Sequence, residues 1–331
     1  MAVTVNDVAR LAGVSPATVS RFLNKNAVVS TQASSSIQQA VIDLGYDRNA
    51  TKRGRRPLSR GLAEQRTSAF GFLIPWLRSE DVLDPVNAMM MHGAEAYARE
   101  QKVTFIVVRQ EEDGTLPPSV SSTYMDGIIA RSGTLNEFAV PESVLTTWVF
   151  RPLVQPNRGD MVYPDSEGIG TSALTYLLHR NRHQLAVIHT PSVDLETGLK
   201  VEAFVTAAAA AGIAVKVRCC ELSEIGSCAT ALLEGRGRVD GLFVPNGDDV
   251  QLTCLQRLSE TSRKVGKDID VIGCNSNIRR LRLTYPDIPN IDIRADEIGT
   301  IAATMLQTRV AGPSGQWLRT VVGARLDLPQ E

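Results

Sequence analysis

Asp7-Val8-Ala9-Arg10-Leu11-Ala12-Gly13-Val14-Ser15-Pro16-Ala17-Thr18-Val19-Ser20-Arg21-Phe22-Leu23-Asn24 reads as a helix, a tight turn and a second helix. Val5, Val8, Ala9 and Ala12 recur at the spacing that gathers apolar side chains onto one helical face. Gly13 follows, and a residue without a β-carbon takes the positive-φ turn after a helix at least cost. Ser15 is a good N-cap, and Pro16 suits the first helical position, where no N–H is required. Val19, Phe22 and Leu23 then face inward, leaving Pro16, Ala17, Thr18, Ser20 and Arg21 outward. Two short helices joined by a Gly turn are the helix-turn-helix pattern, whose second helix lies in the DNA major groove. Helix-Gly-helix alone also fits a small three-helix bundle with no nucleic-acid role.

The surrounding residues extend this reading. Thr4 and Asp7 have the spacing of a capping box, with Asp in the usual Glu position. A third helix is predicted from Ser30, with Ala33, Ile37, Ala40, Val41 and Leu44 on one face and Gly45 as its C-cap. Residues 1–60 carry nine Lys/Arg against three Asp, a net charge of +6, so the remainder of this chain of net charge -1 carries -7. A basic, helix-patterned N-terminus on an acidic body is the charge distribution of a DNA-binding module on a separate core. Three parts are expected: residues 1–50 as an all-α headpiece, 51–67 as a basic linker, and 68–331 as a core. From Ser68 the texture is α/β, with apolar runs of strand length at Ala69–Ile74, Val103–Val108, Gly127–Ala130, Thr147–Phe150, Leu185–His189, Gly241–Val244 and Ile269–Gly273. Helical segments fall between several of them, at Val86–Gln101, Gly168–Arg180, Lys200–Ala211, Val250–Ser262 and Asp296–Val310. Alternating strands and helices make parallel sheets, and the repetition is too long for one compact sheet, so two similar lobes are expected.

The opening run closely resembles the DNA-binding headpiece of the lac repressor family of bacterial transcription regulators. Asp7-Val8-Ala9, Ala12-Gly13-Val14-Ser15, Thr18-Val19-Ser20-Arg21 and Leu23-Asn24 stand where that family's signature has them. In the core the resemblance is carried by Asp126-Gly127-Ile128-Ile129, Lys200-Val201-Glu202-Ala203-Phe204, Asp270-Val271-Ile272-Gly273 and Ala302-Ala303-x-Met305-Leu306. It implies a periplasmic-binding-protein-like core of two parallel-sheet lobes joined by three chain crossings. These are placed at Met161–Asp165, Asn290–Arg294 and roughly Leu318–Val322, giving lobe one residues 68–163 and 293–318 and lobe two residues 164–292 and 319–331. It further implies a homodimeric transcriptional repressor on double-stranded operator DNA, controlled by a small molecule in the cleft between the lobes. The chain shows no Leu-heptad tail, so a dimer is expected, not a tetramer.

Arg21 can donate two hydrogen bonds to guanine O6 and N7, and the matching arginine of the family touches bases. The family's two operator-reading positions are Pro16 and Ala17 here, which suit apolar or shape contact. Thr18, Ser20, Asn24 and the N-terminus of the second helix are better placed to anchor phosphates than to read bases, and Thr4, Ser15 and Asn49 are further DNA contacts. The linker departs from the family. Where relatives carry Asn-Ala-x-Ala-Arg-x-Leu, with the Leu wedged into the minor groove, Asn49-Ala50-Thr51-Lys52-Arg53-Gly54-Arg55 puts Arg55 at the Leu position. Arg53, Arg55 and Arg56 form a minor-groove arm on one reading. On a second they are a basic linker touching phosphates alone. On a third, Leu58 or Leu62 supplies the wedge from a displaced helix.

In an open α/β sheet, ligands bind beyond the carboxyl ends of the strands. Those ends carry Trp76, Arg78, Arg109, Arg131 and Arg151 in the first half of the core, and His189, Asn246 and Asn275 in the second. Each arginine alone reads as a surface residue. Four at successive strand ends favour a carboxylate or phosphate ligand. By resemblance, Lys200 and Asn275 occupy positions where the family commonly has an effector-binding Arg and Asp. An anionic effector such as a sugar phosphate or small acid is therefore expected, with a neutral sugar, or no effector, as the alternative. A transport-type sugar-binding protein or an α/β enzyme is a more distant class. The chain lacks a Walker loop, a strand-linked G-x-G-x-x-G, G-x-S-x-G and H-E-x-x-H, so neither an enzyme nor a cofactor is expected. His179 and His183 sit at i, i+4 with no third ligand nearby, and no metal is expected. Five cysteines without C-x-x-C spacing, no secretory pattern and no membrane-length apolar run predict a cytoplasmic protein that does not engage a membrane, and the resemblance implies a bacterial, nucleoid-associated one.

Overall fold

The computed structural model describes residues 5–24, 30–44, 67–74, 85–111, 115–121, 124–131, 140–154, 156, 158–192, 194–234, 238–274, 281–312 and 315–328. The chain forms two compact units, Met1–Gln65 and Arg66–Glu331.

The first unit contains helices α1 (Val5–Ala12), α2 (Pro16–Asn24) and α3 (Thr31–Leu44). Val8, Ala9, Val19, Ile37 and Ala40 are its buried core, flanked by Val5, Ala12, Val14, Phe22, Leu23, Val41 and Leu44. Gly13 has φ +67°, and the Val14 amide donates back to the Ala9 carbonyl at 3.1 Å, closing the end of α1. The Ser30 hydroxyl accepts from the Ala33 amide at 3.4 Å and starts α3.

The second unit is built on two six-stranded sheets. The first has strands β1 (Ala69–Ile74), β2 (Thr104–Arg109), β3 (Gly127–Arg131), β4 (Leu145–Val149), β5 (Asp160–Pro164) and β11 (Arg319–Val322), ordered β11-β5-β4-β3-β1-β2 and all parallel. The second has β6 (Leu185–His189), β7 (Val215–Cys219), β8 (Gly241–Val244), β9 (Asp270–Gly273), β10 (Asn290–Asp292) and β12 (Arg325–Asp327), ordered β12-β10-β9-β8-β6-β7, with only β12 antiparallel. Central strands read as continuous apolar runs because both faces are covered. In β1, Phe70, Phe72 and Ile74 pack toward α4 (Pro85–Glu100) and α9 (Ala295–Ala311), while Ala69 and Leu73 meet Val120, Met125 and Trp148 on the other face. In the second lobe, α5 (Ser166–His179) and α6 (Glu196–Ala210) cover one face, and α7 (Ile225–Glu234) and α8 (Asp248–Ser259) the other.

The chain passes between the sheets after β5, after β10 and after β11. The three passages touch: the Asp165 amide donates to the Val322 carbonyl at 2.9 Å, and Arg294 Nη1 to the Gly323 carbonyl at 3.4 Å. The expected third crossing is corrected. Residues 319–322 form β11, paired with β5 in the first sheet, so the passage falls at Gly323-Ala324 and only the following residues reach lobe two.

Helices α4 and α9 approach so closely that glycine is required at both. A β-carbon on Gly93 would lie 1.8 Å from the Asp296 carbonyl oxygen, and one on Gly299 1.9 Å from that of Met90. Gly299→Ala gains about 1 kcal/mol of helix propensity, but overpacking against backbone costs about 1–3 kcal/mol. Urea denaturation of this variant is expected to show a net loss of stability, and a gain would contradict the packing.

Candidate functional site

The end of α1, the Gly13 turn and the start of α2 position the recognition residues. The Ser15 hydroxyl accepts from the Thr18 amide at 3.1 Å and lies 2.8 Å from the Thr18 hydroxyl, fixing the first turn of α2. Ser15, Pro16, Ala17, Ser20 and Arg21 are exposed on one side of α2, while Val19 on the opposite side is fully buried. Thr18 is half-buried, so it serves the cap as well as the outward face. Asp7 pairs with Arg10 on α1. Thr4, the Asn24 side chain, Asn49, Arg53, Arg55, Arg56, Leu58 and Leu62 lie outside the described residues.

In the core, two of the arginines expected at the carboxyl ends of the strands, Arg131 and Arg151, are engaged by the protein itself. Arg131, at the end of β3, donates through Nη1 to Asp194 Oδ2 at 3.0 Å and through Nε to Asn87 Oδ1 at 3.2 Å. Its guanidinium lies over the Phe150 ring, 4.2 Å from the centroid. Arg151, just after β4, reaches Glu167 Oε1 at 3.0 Å and Oε2 at 3.1 Å, and Glu196 at 3.1 and 2.9 Å. It also lies 4.5 Å from the Tyr163 centroid. Backbone joins in: the Arg151 amide donates to Glu196 Oε1 at 2.7 Å, and the Leu195 amide donates to the Arg151 carbonyl at 3.0 Å. The Ser166 hydroxyl donates to Glu196 Oε2 at 2.5 Å. Asp194, Glu196 and Glu167 all belong to the second lobe.

This corrects the expectation that Arg131 and Arg151 serve an anionic ligand: their positive charge is balanced within the protein. Three carboxylates face Arg131 and Arg151, and two of the pairs are buried: side-chain exposure is 11% and 6% for Arg131 and Asp194, and 14% and 2% for Arg151 and Glu196, whereas Glu167 is 53% exposed. Removing one partner of a buried pair costs about 3–5 kcal/mol. Arg109 ends the edge strand β2 and is exposed. Trp76, Arg78 and Asn275 lie outside the described residues.

The second lobe brings its expected residues together. Asn246 Nδ2 donates to the Thr190 hydroxyl at 2.7 Å, and His189 Nδ1 lies 3.0 Å from the Thr190 carbonyl oxygen. Lys200 is buried, with Nζ donating to the Pro245 carbonyl at 3.2 Å. Burial pushes the neighbouring Cys274 thiol up, opposed by Lys200. The lysine is thus held by lobe two itself. The sequence reading missed Asp194, Glu196 and Glu167. Its available signal was Asp194-Leu195-Glu196 ahead of an apolar run, the acidic start of a helix; the Glu196 amide does donate to Asp194 Oδ1 at 3.0 Å.

A helix-turn-helix unit on a core of two parallel-sheet lobes with three crossings is the architecture of a DNA-binding regulator on a periplasmic-binding-protein-like fold. Residues 4–49 match the model for bacterial regulatory proteins of the lacI family, and residues 174–327 that for a periplasmic binding protein-like domain. The chain is 26% identical over 321 residues to the HTH-type transcriptional regulator RegA of Clostridium saccharobutylicum, covering 92% of each. Its fold matches a transcriptional regulator CelR–cellobiose complex with TM-score 0.69 at 21% identity, over 98% of both chains. It also matches the lac repressor dimer bound to operator and the anti-inducer ONPF, with TM-score 0.63 at 16% identity, over 98% of both. The chain thus carries a helix-turn-helix domain of the lacI family of bacterial regulatory proteins together with a periplasmic binding protein-like domain. Among the described residues, no helix is long and apolar enough to cross a membrane, and no three metal-binding side chains cluster.

The Arg151 node sets a pH dependence. Hydrogen bonding to Arg151 lowers the Glu167 carboxyl below its ordinary value of 4.5, against the opposing effect of burial. A group lowered on folding stabilises the protein above its unfolded pKa, and that contribution is lost as pH falls through the folded value. Denaturant unfolding of Glu167→Gln is expected to show a weaker loss of stability below about pH 4.5 than the parent; parallel curves would contradict this assignment.

Proposed function

We propose that the chain is a sequence-specific transcriptional repressor that binds operator DNA as a homodimer and is switched by a small molecule between the lobes of its core. The observation that carries this reading is the capped α2, which exposes Pro16, Ala17, Ser20 and Arg21 on one side while Val19 seals the other. Arg21 reads a base edge, Pro16 and Ala17 make apolar contact, and the helix start anchors phosphate. The lac repressor dimer on operator and the cellobiose complex of CelR are the precedents for partner and effector. Arg53, Arg55 and Arg56 act as a minor-groove arm in place of a leucine wedge. A repressor of this kind performs no catalysis and works at the nucleoid in the bacterial cytoplasm.

The effector we favour is a neutral polyhydroxy compound. Arg131 and Arg151 are already matched by Asp194, Glu196 and Glu167, which removes the main argument for an anion. The amide of Asn246 and the Thr190 hydroxyl supply uncharged groups suited to sugar hydroxyls, beside the hydrogen-bonding ring of His189.

Three measurements test this. After an operator is selected from random DNA with the full chain, Arg21→Ala is expected to weaken specific binding by about 1–3 kcal/mol while sparing random DNA. Equal loss on both would refute its reading role. DNA bending tests the arm: a strong central kink abolished by Leu58→Ala would refute it. For the effector, calorimetry is expected to show binding of a neutral mono- or disaccharide; binding of sugar phosphates or small acids alone would restore the anionic reading.

A further inference from the structure

We infer that Arg131 and Arg151 are latch residues: the protein's own carboxylates clamp the two lobes across the cleft, and effector control acts by changing how easily this clamp opens. The inference rests on the proposed switching of the core by a ligand.

Every group in the clamp is a protein group, and each contact pairs one lobe with the other. From lobe one come the end of β3 with Arg131 and the residues after β4, with Arg151 and its backbone. From lobe two come Asp194, the first turn of α6 with Glu196, and the first turn of α5 with Glu167. Pro152 and Asp194 also form an isolated antiparallel bridge, so backbone docks on backbone. Glu196 and Glu167 sit in the first turns of helices, where negative charge is favoured, and Glu196 is held besides by the Ser166 hydroxyl.

A second, independent observation is strain. Phe150 has φ +68°, a conformation that a bulky side chain adopts at a cost. Its amide donates to the Val162 carbonyl at 2.9 Å and its ring lies under Arg131. This turn aims both the amide and the carbonyl of Arg151 at lobe two.

The sheet order gives the clamp a direction. β5 and β11, which carry two of the crossings, lie at one side of the first sheet; β4 is next and β3 beyond it. A rotation of the lobes about the crossings therefore moves Arg131 farther than Arg151. Arg131–Asp194 opens first and Arg151 last.

The test is a distance between the lobes in the full chain. Cys219 is exposed at the end of β7, and Glu111 is exposed just after β2. Spin labels on Cys219 and on Glu111→Cys, in a Cys228→Ser background diluted with unlabelled protein, report across the cleft. The expected result without added sugar is one narrow distance distribution, which lengthens and broadens in Arg131→Gln and in Arg151→Gln. The exchanged pair Arg131→Asp with Asp194→Arg returns it to narrow. A broad parental distribution, or single variants that leave it unchanged, would overturn the latch. If Arg151→Gln fails to fold, the Arg131 variant and the exchange still decide. Operator titrations on the same samples separate the two readings. Absent operator binding with a latch that behaves as described refutes the repressor, and normal operator binding with unchanged distances refutes the latch alone.

Discussion

Arg151 and Glu196 meet where one lobe ends and the other begins, and the rest of the core is arranged around that meeting. The guanidinium is pulled down by burial, yet its hydrogen bonds to Glu196 and Glu167 outweigh this and raise its pKa above the ordinary value. Glu196, 2% exposed, is the counter-charge that this cation depends on, and Glu167, 53% exposed, adds to it. The positions of α5 and α6 and the turn at Phe150 are thereby tied to one another. Moving α6 or the Phe150 turn leaves charge buried without a counter-charge, which is far more costly than losing an exposed pair.

The same logic appears at the other end of lobe one. Arg309 of α9 makes a two-pronged pair with Asp160, at 2.7 and 2.8 Å, and Asp160 also accepts from the Leu318 amide at 2.7 Å. This fixes the last turns of α9 to the first residue of β5 and to the entry of β11. Lobe one is therefore pinned by buried ion pairs at both ends of its strands, with apolar packing between them.

Much of the fold was legible because it follows from local rules. Ala69–Ile74, Leu185–His189 and Gly241–Val244 stand out as apolar runs, since strands covered on both faces have no polar side to display. The headpiece was legible for the opposite reason: its polar and apolar positions alternate with helical spacing, and Ser15 and Gly13 punctuate it. The reading failed at β7, where Val215-Lys216-Val217-Arg218 alternates with charge because this strand is an edge, and α7 was missed with it. It also began α6 at Lys200, where the apolar pattern starts, instead of at Glu196. The site was harder still. Arg131 and Asp194 are 63 residues apart, and Arg151 and Glu196 are 45 apart. Nothing local in the sequence says that a strand-end arginine already has its counter-charge. Counting cations along a chain overstates the field in a cleft whose opposite wall is unknown.

The late strands carry a consequence for how the chain is made. β11 is an edge of the first sheet and β12 an edge of the second, and both come from residues 319–327. Each pairs with a strand made well before it, β11 with β5 and β12 with β10. During synthesis from the N-terminus, the helix-turn-helix unit can fold as soon as it emerges, since its contacts are local. Neither lobe can close its sheet until nearly the whole chain is available, because each is assembled from distant segments. Long-range pairings of this kind are slow to form and expose unpaired strand edges meanwhile. A nascent chain of this protein therefore presents a finished DNA-binding unit on an unfinished core, and two growing sheets wait on the same nine residues.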